Sequence, residues 1–101
     1  MKPVDLSRMS FAELRPQLNH LRETCQLAWL AHGPGTTRDV AAKANMDILT
    51  FRPRSTELYQ LGLLELTDRT GHEGVYRART LAEWEQYLAS LKQPNPQQQL
   101  V

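Results

Sequence analysis

Cysteine is almost absent from this sequence: Cys25 is the only one among 101 residues. A single thiol cannot form an intramolecular disulfide, so an apolar core must hold the fold, and the composition is typical of a reducing compartment. On its apolar stripe, Cys25 is either a small buried hydrophobe or a redox switch. The histidines, His20, His32 and His72, have no second His or Cys at ligand spacing. We therefore expect no metal and no other cofactor.

Long apolar runs are also missing. Polar or charged residues interrupt every apolar stretch well before the roughly 20 residues that cross a bilayer. The opening residues 1–5 lack the apolar core of a signal peptide. We therefore expect a cytoplasmic protein that makes no membrane contact. Hydrophobic residues make up 41% of the chain, which indicates a folded protein.

The chain has no large excess of charge of either sign. Its 12 Lys and Arg are balanced by 11 Asp and Glu, so the formal net charge is +1. Nucleic-acid-binding domains are usually basic, and the overall balance argues mildly against that function. Any such function must depend on cations that are gathered on one face.

Patterns typical of catalysis are missing as well. No nucleophile stands beside a recognisable base, and no pair of carboxylates shares a helical face next to a pocket signal. The glycines near Thr36 suggest a phosphate-binding loop, but the Lys that such a loop requires is absent. We expect a protein that is not an enzyme and has no catalytic residues.

Hydrophobic periodicity divides the rest of the chain into segments. We expect residues 1–9 to be a flexible lead, residues 10–92 to form a single domain, and the Pro- and Gln-rich residues 93–101 to be a disordered tail. A capping box at Ser10 predicts a helix start. An apolar stripe predicts the main helix over Pro16–Ala31. The excess of leucines near its end predicts burial on more than one side, by the domain or by a second copy.

Two further helices are predicted in the middle of the chain. Thr37 is the expected N-cap of a short helix over Arg38–Ala44. Thr50 is the expected N-cap of a third helix, which Gly62 ends. Its outward surface is expected to be polar and to include Arg52.

A change of period then predicts a β-hairpin. Leu63–Thr67 and Val75–Arg79 have the alternation of strands, with a long tip over Asp68–Gly74. A second capping box at Thr80 predicts a last helix that ends near Lys92. The fold class is therefore α+β, mainly α.

The order helix, short helix, turn, helix, hairpin, helix resembles that of the winged helix-turn-helix DNA-binding regulators of bacteria and their phages. The resemblance is carried by Leu27–Ala31, by Gly33–Ala41 and most of all by the Leu-x-x-Leu-Gly-Leu-Leu pattern over Leu58–Leu64. It covers a little over half of the chain. It implies a winged helix-turn-helix domain with additional N- and C-terminal helices.

The resemblance implies sequence-specific binding of double-stranded DNA. The recognition helix would cover about residues 50–61 and the wing about residues 67–76. We expect Arg52 with Ser55 or Thr56 to face bases. Arg54 is expected to face a phosphate or an internal partner such as Asp39 or Glu57. Arg77 is expected to contact a phosphate, so its loss would weaken binding to all sequences. With four to five cations on phosphates, the log-log salt slope would be about −4 per protomer. The predicted DNA-contacting residues are Thr37, Arg38, Thr50, Arg52, Arg54, Ser55, Thr56, Tyr59, Arg69, His72 and Arg77.

One recognition helix contacts few base pairs, so a homodimer on two half-sites is expected. The apolar stripes of the first and last helices are the available surfaces, although they could equally close the core of their own chain. The candidate interface residues are Leu14, Leu18, Trp84, Tyr87, Leu88 and Leu91. The alternative to DNA binding is a winged helix that binds a protein partner, which the neutral charge and the acidic residues of the hairpin favour.

Overall fold

The computed structural model describes residues 10–92, which form an α+β fold that is mostly helical. The predicted flexible lead and disordered tail lie outside these residues. A 3-10 turn, Arg15–Gln17, joins the first two helices. In chain order the elements are α1 (Phe11–Leu14), α2 (His20–His32), β1 (Gly35–Thr36), α3 (Thr37–Lys43), α4 (Ile48–Leu61), β2 (Leu64–Thr70), β3 (Glu73–Ala78) and α5 (Leu81–Lys92).

The start of α2 differs from the sequence-based expectation. Ser10 caps α1 as predicted, since its hydroxyl accepts the Glu13 backbone N–H at 3.2 Å. The main helix, however, begins at His20 and not at Pro16. Pro16 lies in the 3-10 turn, where its missing N–H interrupts the helical ladder. Asn19 then caps α2, because its side chain accepts the Arg22 N–H at 2.9 Å.

The next two helices begin earlier than predicted. Thr36, and not Thr37, caps α3 by accepting the Asp39 N–H at 3.1 Å. Asp47, and not Thr50, caps α4 by accepting the Leu49 N–H at 3.2 Å. Each helix is capped by the first competent side chain after the preceding turn. The end of α4 is as predicted, because Gly62 takes the left-handed conformation at φ 88°.

The sheet is antiparallel, with the strand order β1-β3-β2. The predicted long tip over Asp68–Gly74 is wrong: β2 continues to Thr70, which pairs with Glu73. Gly71 makes the tight turn at φ 61°. β1 pairs with β3 and was not predicted, because a two-residue strand has no periodicity to detect.

One core cluster joins the helices to the sheet. Trp29 of α2 stacks on Phe51 of α4 at a ring-centroid distance of 5.8 Å. Trp84 of α5 donates its indole N–H to the Leu61 carbonyl at 2.6 Å. The buried apolar residues are Leu14, Leu18, Cys25, Ala28, Trp29, Val40, Ala41, Phe51, Leu58, Leu61, Leu63, Leu64, Ala78, Trp84 and Leu88.

Cys25 is a buried member of this core, and burial raises the pKa of its thiol. A raised pKa disfavours the thiolate, which is the reactive form of cysteine. The geometry thus fits the small buried hydrophobe and not the redox switch. By contrast, the described chain leaves Leu27 and Leu30 exposed, so the domain itself does not cover that end of α2. Burial by a second copy stays a prediction.

The core also changes the predicted dimer surface. Leu14, Leu18, Trp84 and Leu88 are all buried inside their own chain, so they cannot also form a surface for a second copy. Their stripes close the protomer's core, which was the other possibility that the sequence allowed. Of the six predicted interface residues, Leu91 is exposed and Tyr87 is half-buried. The Tyr87 ring lies under the Arg79 guanidinium, 3.9 Å from its centroid.

Candidate nucleic-acid interface

The outward face of α4 includes a stripe of four side chains. Leu49, Arg52, Thr56 and Tyr59 are exposed. At about 100° per residue they fall within roughly 80° of one another around the helix axis. The opposite side of the helix packs into the core through Phe51, Leu58 and Leu61.

Ser55 does not belong to this stripe. It is 4% exposed, and its hydroxyl accepts the Trp29 indole N–H at 2.9 Å. The expectation that Ser55 faces bases is therefore wrong. A serine is small enough to sit against the core, and there it supplies the acceptor that a buried indole N–H requires.

The stripe meets α3 and the β2–β3 hairpin in one open cleft of about 360 Å³. Arg52 and Thr56 line it from α4, and Tyr76 lies at its hairpin side. Five predicted contact residues meet here although they come from three separate parts of the sequence. The residues lining the cleft are Thr37, Arg38, Arg52, Thr56, His72, Glu73, Gly74 and Tyr76.

Two more predicted residues lie beside residues that line the cleft, whereas a third, Thr50, does not line it. Tyr59 packs edge-on against Tyr76, with ring centroids 5.5 Å apart, which ties α4 to the sheet. Arg69 is exposed on β2 in register with Gly74. Thr50 is exposed in the first turn of α4.

The cleft carries both signs of charge. The Nε atom of Arg38 lies 3.3 Å from Oε1 of Glu73, and the two side chains are 71% and 43% exposed. Among residues 10–92, neither Arg52 nor Arg69 forms an ion pair. Glu73 therefore partly neutralises Arg38, whereas no carboxylate of the described residues neutralises Arg52. Arg69 lies close to the cleft, next to Gly74.

Arg54 faces the protein and not the cleft. Its Nε lies 2.9 Å from Oε1 of Glu57, the internal carboxylate that the sequence offered as one possible partner. The same oxygen accepts a hydrogen bond from Arg22 Nε at 3.0 Å. Both Arg22 and Glu57 are mostly buried, so this cluster fixes α4 against α2.

Arg77 does not lie with the predicted contact residues that line the cleft. Alternation along β3 turns it to the side opposite Tyr76. There its Nη2 lies 2.8 Å from Oε2 of Glu83, and its Nε lies 3.3 Å from Oε2 of Glu65. The hydrogen bonds that Arg77 donates to the Glu83 carboxylate raise the pKa of Arg77 and, with the Thr80 backbone N–H, lower the pKa of Glu83 to about 2. Arg77 is thus occupied in joining the sheet to α5.

Two site residues were missed from the sequence. Leu49 was placed before the helix, because Thr50 was taken as the cap, yet it is 80% exposed on the α4 stripe. A helical wheel that began at Asp47 would have placed it there. Tyr76 was read only as a strand residue, and its contact with Tyr59 depends on how the hairpin packs against α4.

Comparison with protein-family models, with curated protein sequences and with solved structures gives no match to this chain. Within residues 10–92, no helix is both long and apolar enough to span a bilayer. The same residues contain no group of three His, Cys, Asp or Glu side chains arranged to hold a metal ion.

Proposed function

We propose that this chain is a winged helix-turn-helix protein that binds double-stranded DNA and acts as a small transcriptional regulator. In this assignment α3 and α4 form the helix-turn-helix, α4 is the recognition helix and the β2–β3 hairpin is the wing. The observation that carries the proposal is the convergence of Thr37, Arg38, Arg52, Thr56 and His72 on one cleft.

The exposed stripe of α4 suits the major groove. That groove is about 12 Å wide and admits one helix, whose N-terminal side chains then meet the base edges. Arg52 lies in the second turn of α4, unpaired among the described residues, and an arginine can donate two hydrogen bonds to guanine. Thr56 follows one turn later on the same stripe. We assign base reading to Arg52 and Thr56.

The start of α3 and the hairpin suit the sugar–phosphate backbone. Arg38 and the Thr37 hydroxyl lie beside the α4 stripe, where a backbone strand flanking the groove would pass. Arg69 and His72 lie near the tip of the hairpin, at the reach of a neighbouring phosphate or minor groove. These contacts position the protein but carry little sequence information.

The proposal includes a homodimer. One copy of α4 reads few base pairs, so two copies on half-sites about one helical turn apart would give useful specificity. Of the predicted interface residues, the exposed Leu91 and the half-buried Tyr87 on α5 are left for this role.

A second candidate is a winged helix that binds a protein. The Arg38–Glu73 ion pair favours it, because a carboxylate inside the cleft repels phosphate. The exposed Leu49 and Tyr59 also suit a protein partner. This reading keeps the fold and assigns the cleft to a peptide or domain surface.

Selection of bound duplexes from a random-sequence pool separates the two candidates. Wild type should enrich an inverted repeat, and Arg52→Ala should lose that enrichment. Arg15→Ala is the matched control, because it removes an exposed arginine from the 3-10 turn, outside the cleft. It should enrich the same repeat as wild type. No enrichment by any variant, with no retention of duplex at low salt, would contradict DNA binding and favour a protein partner.

A further inference from the structure

We infer that Leu49 is a specificity-determining residue that recognises the C5-methyl group of thymine in the major groove. This inference rests on the proposed DNA-binding function and adds a base preference to it. Leu49 is the most exposed large apolar side chain among the described residues, at 80%. It is the second residue of α4, at the end that would enter the groove first.

The position of Leu49 on the helix is fixed by the cap that precedes it. The Asp47 carboxylate accepts the Leu49 backbone N–H at 3.2 Å and so holds the first turn of α4. Thr56 follows Leu49 by seven residues, which is about 20° short of two full turns of the helix and about 10 Å along its axis. Leu49 and Thr56 therefore point the same way, about three base-pair steps apart at roughly 3.4 Å per step. Arg52 lies between them.

The chemistry of the groove provides an apolar partner for this side chain. The C5-methyl of thymine is the apolar group among the donors and acceptors that base pairs present in the major groove. A leucine can bury that methyl but can make no hydrogen bond to a base edge. Arg52, beside it on the stripe, can do the opposite. Together they would specify a thymine next to a guanine.

Packing within the protomer does not account for Leu49. Its neighbours in the chain, Ile48 and Phe51, contact or belong to the core, whereas Leu49 is turned away from it. A leucine left in water gains nothing for folding, and a polar residue there would serve the helix as well. An exposed apolar side chain at the N-terminal end of the stripe, one turn from Arg52, is better explained by what it contacts in the complex.

Thymine-to-uracil substitution tests the inference, because uracil lacks only the methyl group. Each thymine of the selected site is replaced in turn, and the dissociation constant of the wild type is measured by fluorescence anisotropy. We expect a loss of about fourfold at one position in each half-site, the effect of one buried methyl-sized group. Leu49→Ala should bind thymine and uracil duplexes equally at that position. Leu49→Met should keep the preference for thymine.

Leu27→Ala is the control, because Leu27 is 63% exposed on α2, which contributes no side chain to the cleft. It should respond to uracil as wild type does. If the wild type binds its site but every uracil duplex binds equally well, or if Leu49→Ala keeps the preference, the inference is wrong and the proposed function stands. If the wild type binds no duplex, both are wrong.

Discussion

The Trp29 indole N–H donates a hydrogen bond to the Ser55 hydroxyl 2.9 Å away, and this contact fixes how α4 is rotated on the core. With Ser55 turned inward, Arg52 and Thr56 are turned outward into the cleft. Two buried groups satisfy each other, so the bond contributes to folding and to the orientation of the binding stripe at once.

Ser55→Ala should destabilise the protein without changing its DNA preference. It leaves the Trp29 N–H buried without its acceptor, which costs about 1–3 kcal/mol in the free energy of unfolding, measured by urea denaturation. Adding Trp29→Phe to Ser55→Ala removes the donor that has lost its acceptor. The double variant should therefore lose less free energy of unfolding than the sum of the losses in the two single variants. Unchanged stability with an altered base preference would instead place Ser55 on the DNA.

Glu73→Gln should strengthen DNA binding. The substitution removes a carboxylate from the cleft and releases Arg38, which it holds at 3.3 Å. For an exposed pair, the dissociation constant for a duplex should fall about two- to fivefold near physiological salt. Glu85→Gln, an exposed position on α5 that does not line the cleft, makes the same charge change and should have a much smaller effect. Equal gains from both variants would mean that net charge matters and the cleft does not.

The salt dependence of binding should reflect the cations that the fold leaves available. Arg54 and Arg77 are held by carboxylates, which leaves Arg38, Arg52 and Arg69 at or near the cleft. Because Arg52 is assigned to base edges, Arg38 and Arg69 remain for phosphates, and two phosphate contacts give a log-log salt slope of about −1.8 per protomer, shallower than the sequence alone suggested. Anisotropy titrations between about 50 and 200 mM salt measure it. A slope near −5 would require cations outside the cleft.

Glu83 should titrate with a pKa of about 2, as measured by NMR, because Arg77 and the Thr80 backbone N–H hydrogen bond its carboxylate. Its ordinary pKa is 4.5, so its contribution to stability is complete above that pH and is lost as the pH falls toward 2. Arg77→Met should raise the pKa of Glu83 and flatten the acid dependence of stability over that range.

Arg77→Met should also leave DNA affinity at neutral pH unchanged. The sequence alone suggested that Arg77 contacts phosphate and that its loss would weaken binding to all sequences. The ion pairs with Glu65 and Glu83 occupy the Arg77 guanidinium, so we now expect the opposite result. A uniform loss of affinity in anisotropy titrations of Arg77→Met would restore the phosphate role.

The order of elements could be predicted from local signals in the sequence. Gly62 and the Thr80–Glu83 capping box act within one turn, and both appear as expected. The orientation of α4 could not be predicted, because nothing in the local sequence shows that Ser55, and not Thr56, accepts the Trp29 indole N–H. Similarly, nothing local pairs Arg77 with Glu83 or Arg38 with Glu73, since these contacts form only when the hairpin packs.

Binding of DNA in the cleft is tested most directly by following backbone amide chemical shifts as a short duplex is added at low salt. The shifts should change at Thr37 and Arg38, along the α4 stripe from Leu49 to Thr56, and around the hairpin tip at Arg69–Gly74. A duplex that carries one half-site should bind without moving the resonances of α5, where the proposed dimer contact lies. Shifts that stay constant throughout, or that change only on α5 and α1, would contradict the assignment of this cleft to DNA.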